Sequence, residues 1–133
     1  MEKILLAYDG TEPSKRALAT AARMAKALDA RLGVVSVVPR GLGPYPEDSL
    51  DDADVHSREL LEARDLLRSE GLEAELFQPA GDPATMIEEI AESGAFGMVI
   101  VGTRGLGAFS AFFGDSVSEH VATHAYSTVL VAR

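Results

Sequence analysis

The stretch Val101-Gly102-Thr103-Arg104-Gly105-Leu106-Gly107 is the part of the sequence best equipped for chemistry. Glycines let the backbone take φ > 0 and approach a ligand with no Cβ in the way. Successive free N–H groups in such a loop can cradle oxyanions, as can the unpaired N–H groups at a helix start. Ser116 and Ser118 add hydroxyl donors where the next helix is expected to begin. Arg104 is the only Lys or Arg between Arg68 and Arg133, and its guanidinium can pair bidentately with a phosphate. The chemistry these residues suit is the holding of an anion, a phosphate above all. The loop is not a P-loop, because Gly-Lys-Ser/Thr is missing, and not the dinucleotide fingerprint, which should follow the first strand with another spacing. A second reading stays open, in which the glycines serve only a tight turn.

Other residues are weaker candidates. Asp9, in Tyr8-Asp9-Gly10-Thr11, is a lone carboxylate at an expected strand end, better suited to forming a turn or contacting a ribose than to acting as a base. His120 and His124 share one helix face, but two ligands make a poor metal site, and His124 fits a helix C-terminus. His56 falls on a long acidic helix and is expected to face solvent. Glu47, Asp48, Asp51, Asp52 and Asp54 read as a solvated face, and Phe109, Phe112 and Phe113 as a turn packed on the core or on a second subunit. No general base with an evident nucleophile stands out, so a binding protein is expected rather than an enzyme.

The elements that must position these residues alternate. Lys3–Tyr8, Leu32–Val38, Ala74–Gln78, Gly97–Val101 and Thr128–Ala132 read as strands, the third near a sheet edge. Thr11 can cap a helix with Pro13 in its first turn, and Ala17, Leu18, Ala21, Met24, Ala25 and Leu28 recur at helical spacing. A second helix is expected from Asp51 to about Glu70, stopped by Gly71, after a loop of Pro and Gly from Pro39 to Leu50. Asp82 and Pro83 open a third, and Ser116–His124 forms a fourth. Strands alternating with helices predict right-handed βαβ units: an open, doubly wound α/β sheet of five parallel strands with helices on both faces. Ligands of such sheets sit beyond the carboxyl ends of the strands, where the strand order reverses.

Composition narrows the partners. The chain has 133 residues, 47% of them hydrophobic, which fits one domain able to bury a core. A net charge of −9 argues against nucleic acid and anionic membranes. There is no cysteine, no apolar run of membrane-spanning length and no signal-peptide pattern, and a cytoplasmic setting is expected. Thr128–Ala132 is apolar with few gatekeeping charges, and is expected to pair antiparallel with its copy in a homodimer.

The two ends of the chain resemble the universal stress protein family. The resemblance lies in Ile4-Leu5-Leu6-Ala7-Tyr8-Asp9-Gly10-Thr11, and in Val99 to Gly105 continued through Ser116-Val117-Ser118 to Ala125–Val131. It implies a Rossmann-like sheet of the adenine nucleotide alpha hydrolase type, in order 3-2-1-4-5, often dimerised through the last strand. It also implies ATP, with Mg²⁺, as a ligand, held by a motif G-x2-G-x9-G-[S/T], although some members lack ATP binding. Gly102 and Gly105 match the first two glycines and Ser116, followed by Val117, the hydroxyl position; Asp115 replaces the third glycine. Asp9 matches an acidic residue near the adenosine, with Ala7 and Tyr8 beside it, and Val37 and Val101 match the apolar positions flanking it. A carboxylate about 4 Å from a phosphate repels it by about 1 kcal/mol in water-like surroundings and several times that when partly buried. Asp115 thus favours an alternative: a stress protein that binds no ATP and acts as a dimeric interaction module.

Overall fold

Five apolar runs become the strands of one sheet: β1 (Lys3–Ala7), β2 (Arg31–Val35), β3 (Ala74–Phe77), β4 (Met98–Gly102) and β5 (Thr128–Ala132). Between them lie α1 (Glu12–Leu28), α2 (Glu47–Arg68) and α3 (Pro83–Ser93). The computed structural model describes residues 2–38, 47–102 and 128–132. Every strand pair is parallel and the order is β3-β2-β1-β4-β5, the architecture expected from the alternation of elements and from the family resemblance.

The strands read as unbroken apolar runs because both sheet faces are covered. Along β1, Ile4 and Leu6 join a core with α1 and α2, while Leu5 and Ala7 join a second core with α3. On the first face, Ala17, Ala21, Ala22 and Ala25 form a small-residue stripe that brings α1 close to the sheet. From α2, among the described residues, Leu60, Ala63 and Leu67 are the apolar side chains buried there; Val55, Leu61 and Leu66, equally apolar, are exposed on other faces of the helix. On the second face Phe96 crosses the sheet over Gly33, meets Phe77 edge-on at 5.9 Å, and carries the Lys3 ammonium 4.5 Å above its ring.

The caps agree with the sequence. Thr11 accepts from Ser14 N, Asp82 accepts from Thr85 N at 3.1 Å, and a proline occupies the first turn of both helices. Gly71, at φ +79°, ends α2. Some boundaries differ. α2 begins at Glu47 rather than Asp51, since acidic residues suit a helix N-terminus and continue the helix into sequence that reads as loop. β2 is Arg31–Val35 rather than Leu32–Val38, with Val38 joined to Ala80 only by an isolated bridge. β1 and β3 each end one residue early, and β4 runs one residue later, taking in Gly102. The expected helix Ser116–His124 lies outside the described residues.

A Cβ on Gly33 would lie 2.6 Å from the Phe96 ring and 3.1 Å from that of Phe77. Gly33→Ala is expected to cost about 1–3 kcal/mol by overpacking. In urea unfolding, Gly33→Ala combined with Phe96→Leu should lose less than the sum of the two single variants, because the two side chains share one space.

Candidate functional site

β1 pairs with β2 on one side and β4 on the other, so the strand order reverses between β1 and β4. Their carboxyl ends carry Ala7, Val101 and Gly102, and the segment after β2 adds Val37. Ala7, Val37 and Val101 are buried together on the α3 face. Asp9 is partly buried just beyond β1. Tyr8 takes a different direction: its ring is 2% exposed, inside the α1/α2 core, so only its backbone borders this end of the sheet. Arg104, Gly105, Asp115, Ser116 and Val117 lie outside the described residues, as do His120, His124 and the three phenylalanines.

The turn after β1 is tightly specified. Asp9 Oδ1 accepts from Thr11 N at 3.1 Å and from Thr11 Oγ1 at 2.5 Å, which makes it the turn former its sequence context suggests. Gly10 has φ +78°, a backbone conformation that disfavours any side chain. The Thr11 hydroxyl oxygen accepts from Ser14 N, and Ser14 Oγ donates to Thr11 O at 2.9 Å. The start of α1 is therefore capped from within the chain, and Glu12 stands in its first turn. Gly102 has a reason of its own to be glycine: a Cβ there would lie 2.6 Å from Pro13 O and 3.0 Å from Ser14 N. Only a bare backbone lets the end of β4 rest on the first turn of α1.

Under this end of the sheet lies a polar cluster for which the sequence reading had no place. Ser36, 2% exposed, donates its hydroxyl to Glu59 Oε2 at 3.2 Å and sits 2.8 Å from His56 Nδ1. The same Nδ1 lies 2.8 Å from Glu59 Oε2, so with Glu59 ionised it carries the imidazole proton and shares it between the two oxygens. His56 is thus not the solvent-facing residue expected. Its spacing of four, seven and eleven to Leu60, Ala63 and Leu67 was the overlooked signal, because that stripe is the buried face of α2. Serine, histidine and glutamate suggest a hydrolytic triad in composition, but a triad puts acid and nucleophile on opposite ring nitrogens. Both are on Nδ1 here. Beside them Tyr8 donates its hydroxyl to Glu62 Oε1 at 2.5 Å, and Lys15 approaches Glu62 at 3.9 Å. Among the described residues no group of three or more His, Cys, Asp or Glu side chains is arranged to hold a metal ion.

The fold is the one the family resemblance implies, and the universal stress protein family model matches residues 1–133. The chain belongs to the universal stress protein family. A universal stress protein of Thermus aquaticus is 37% identical, covering 98% of this chain and 97% of the relative. A universal stress protein family member from Burkholderia pseudomallei superposes with a TM-score of 0.79 at 26% identity, over 98% of this chain and 94% of that one. A universal stress protein of Archaeoglobus fulgidus, solved in complex with dAMP, superposes with a TM-score of 0.78 at 24% identity, over 100% and 98%. No helix among the described residues of this stress protein is long and apolar enough to cross a membrane.

Burial first, then the bond to Glu62 and the nearby carboxylates Glu62, Glu59 and Asp9, push the Tyr8 hydroxyl well above its usual value of 10.0. A phenol raised in the folded state adds stability that is complete below the unfolded value near 10. It is lost as pH climbs from there toward the folded value. Tyr8→Phe should cost about 1 kcal/mol at neutral pH, because Glu62 is half-exposed and can be rehydrated. Above pH 10 the variant should lose stability less steeply than the parent, as read by denaturant unfolding across that range.

Proposed function

We propose that this protein is a nucleotide-binding stress protein of the cytoplasm, taking an adenine nucleotide across the carboxyl ends of β1, β2 and β4. The observation that carries the reading is the convergence of Ala7, Asp9, Val37, Val101 and Gly102 on that end of the sheet, around the reversal of strand order. Ala7, Val37 and Val101 would wall the nucleoside and Asp9 would accept from it. The dAMP complex of the Archaeoglobus relative supports the ligand class. With the start of α1 already capped, phosphates would fall to Gly102, Arg104, Gly105 and Ser116, with Val117 beside them. ATP would enter with Mg²⁺, which offsets the carboxylate of Asp115. The proposal is of a binding protein rather than a catalyst, and the cysteine-free chain suits a reducing compartment.

Calorimetric titration with AMP and with ATP, each with and without Mg²⁺, tests it. Binding of AMP is expected, binding of ATP should depend on Mg²⁺, and Asp115→Gly should tighten ATP about fivefold or more, since about 1 kcal/mol of repulsion is removed. Flat titrations under all four conditions would leave the second reading, an interaction module, which the replacement of the third motif glycine by Asp115 favours.

Both readings include a homodimer paired antiparallel through β5. Thr128 N donates to Gly97 O at 3.0 Å, so Thr128 turns its backbone polar groups toward β4. Successive residues of a strand alternate, which leaves Val129 and Val131 presenting theirs to the open edge. Proline is tolerated on edge strands where the lost N–H faces outward. Val131→Pro should therefore convert a dimer into a folded monomer in sedimentation; a parent chain that sediments as a monomer at all concentrations overturns the pairing.

A further inference from the structure

We propose that Ser36, His56 and Glu59 form a buttress that positions the Asp9–Thr11 turn for ligand binding, which makes all three positioning residues of the candidate site. The inference rests on the reading of that site given above. Its geometry is independent of it. Ser36 directly follows β2 as Tyr8 follows β1, and Tyr8 N donates to Val35 O at 3.0 Å, so the two residues leave the sheet side by side. Glu59 reaches from α2 past Ser36 to the turn: its Cγ lies 3.4 Å, and its carboxyl group 3.8 Å, from where a Cβ of Gly10 would be. Gly10 holds a left-handed conformation that an unsupported glycine exchanges freely for others. The neighbouring Asp9–Thr11 bonds close the turn locally, and Glu59 packs against Gly10 from the α2 side.

Energetics point the same way. The buried stripe of α2 continues as Leu60, Ala63 and Leu67, and apolar side chains at 56 and 59 would complete that pattern. A carboxylate, an imidazole and a hydroxyl withdrawn from water cost more than apolar residues of similar volume, and replacing such groups is often neutral or stabilising. His56 and Glu59 stand where α2 passes the turn, at the carboxyl end of the sheet. Arrangements that lower stability at one place are those that function maintains. Both oxygens on one imidazole nitrogen suit a clamp, which needs fixed geometry, rather than a proton relay, which needs two nitrogens.

The test compares the parent chain with Glu59→Ala, Glu59→Gln and Ser36→Ala. Hydrogen exchange of the Thr11 amide is read without ligand, with the Ile100 amide as reference, and AMP affinity is read by calorimetry well below the unfolding temperature. Glu59→Ala should speed Thr11 exchange and weaken AMP binding by about tenfold each, the lower end of what supporting contacts behind a binding group contribute. Glu59→Gln keeps both the Cγ packing at Gly10 and an acceptor oxygen, and should stay within about threefold of the parent in both. A role in global stability alone would lower the unfolding temperature of Glu59→Ala and leave both ratios unchanged, which overturns the proposal. Tighter AMP binding by Glu59→Ala, the mark of a carboxylate that only repels, overturns it too. Should Glu59→Ala not fold, Ser36→Ala, which removes one small donor, decides the matter by the same two readings. If the parent binds no AMP, the functional reading fails, and Thr11 exchange alone decides whether the buttress exists.

Discussion

Everything at the candidate site depends on β1 being hydrogen-bonded on both edges and covered on both faces. Ile4, Leu5 and Leu6 are fully buried, each facing one of the two cores, and the strand has parallel partners on either side. Burying each of these side chains contributes roughly 1.5–3 kcal/mol, so the strand cannot carry polar chemistry along its length. What it can do is deliver its carboxyl end to a fixed place. Asp9 inherits its position from that end, beside the place where the strand order reverses. The contact of Gly102 with Pro13 and Ser14 adds a second constraint, because it fixes the start of α1 against the end of β4. The end of β4 and the first turn of α1, far apart in sequence, are thereby held side by side by close backbone packing.

The same packing decides which donors remain for an anion. In many nucleotide-binding folds the helix after the first strand turns its free N–H groups to the phosphate. Here Thr11 takes Ser14 N, Asp9 takes Thr11 N, and Glu12 adds a negative charge to the first turn. Asp9, Glu59 and Glu62 lie close enough to Tyr8 to act on its hydroxyl, so the α1/α2 side of this end of the sheet is acidic. A phosphate in the proposed site would thus fall toward the β4 side, after which the sequence carries Arg104, the only Lys or Arg between Arg68 and Arg133.

Much of this was legible in the sequence, for identifiable reasons. Strands buried on both faces leave unbroken apolar runs, and caps such as Thr11 and Asp82 act within four residues, so both can be read locally. Boundaries failed where composition and structure part company: α2 runs four residues into a segment read as loop. The direction of Tyr8 follows from alternation with Ile4 and Leu6, whereas the family resemblance alone set it beside a ligand. The burial of His56 follows from its place in the α2 stripe, whereas the acidic composition of the helix pointed it to solvent. The packing role of Gly102 was beyond reach, because its partner Pro13 is 89 residues away and no local pattern announces it. Glu59 was hidden for the same reason: only the fold brings it to Gly10.

The two edges of the sheet are protected unequally, and the difference bears on how copies of the chain would meet. β3 is four residues long, carries Glu75, and is followed by Gln78, whose amide donates to Ala53 O of α2 while its oxygen accepts from Ser57. Short length, a charge and a tie to a covering helix are the devices that discourage edge pairing. β5 carries no charge, Thr-Val-Leu-Val-Ala, and Val131 is 41% exposed among the described residues. An antiparallel union at β5 would run the partner's strands in reverse. The two candidate sites would then open at opposite ends of one ten-stranded sheet, neither blocking the other. An uncharged edge strand opposite a charged and tethered one is what selection for one defined assembly, rather than open-ended stacking, would leave behind.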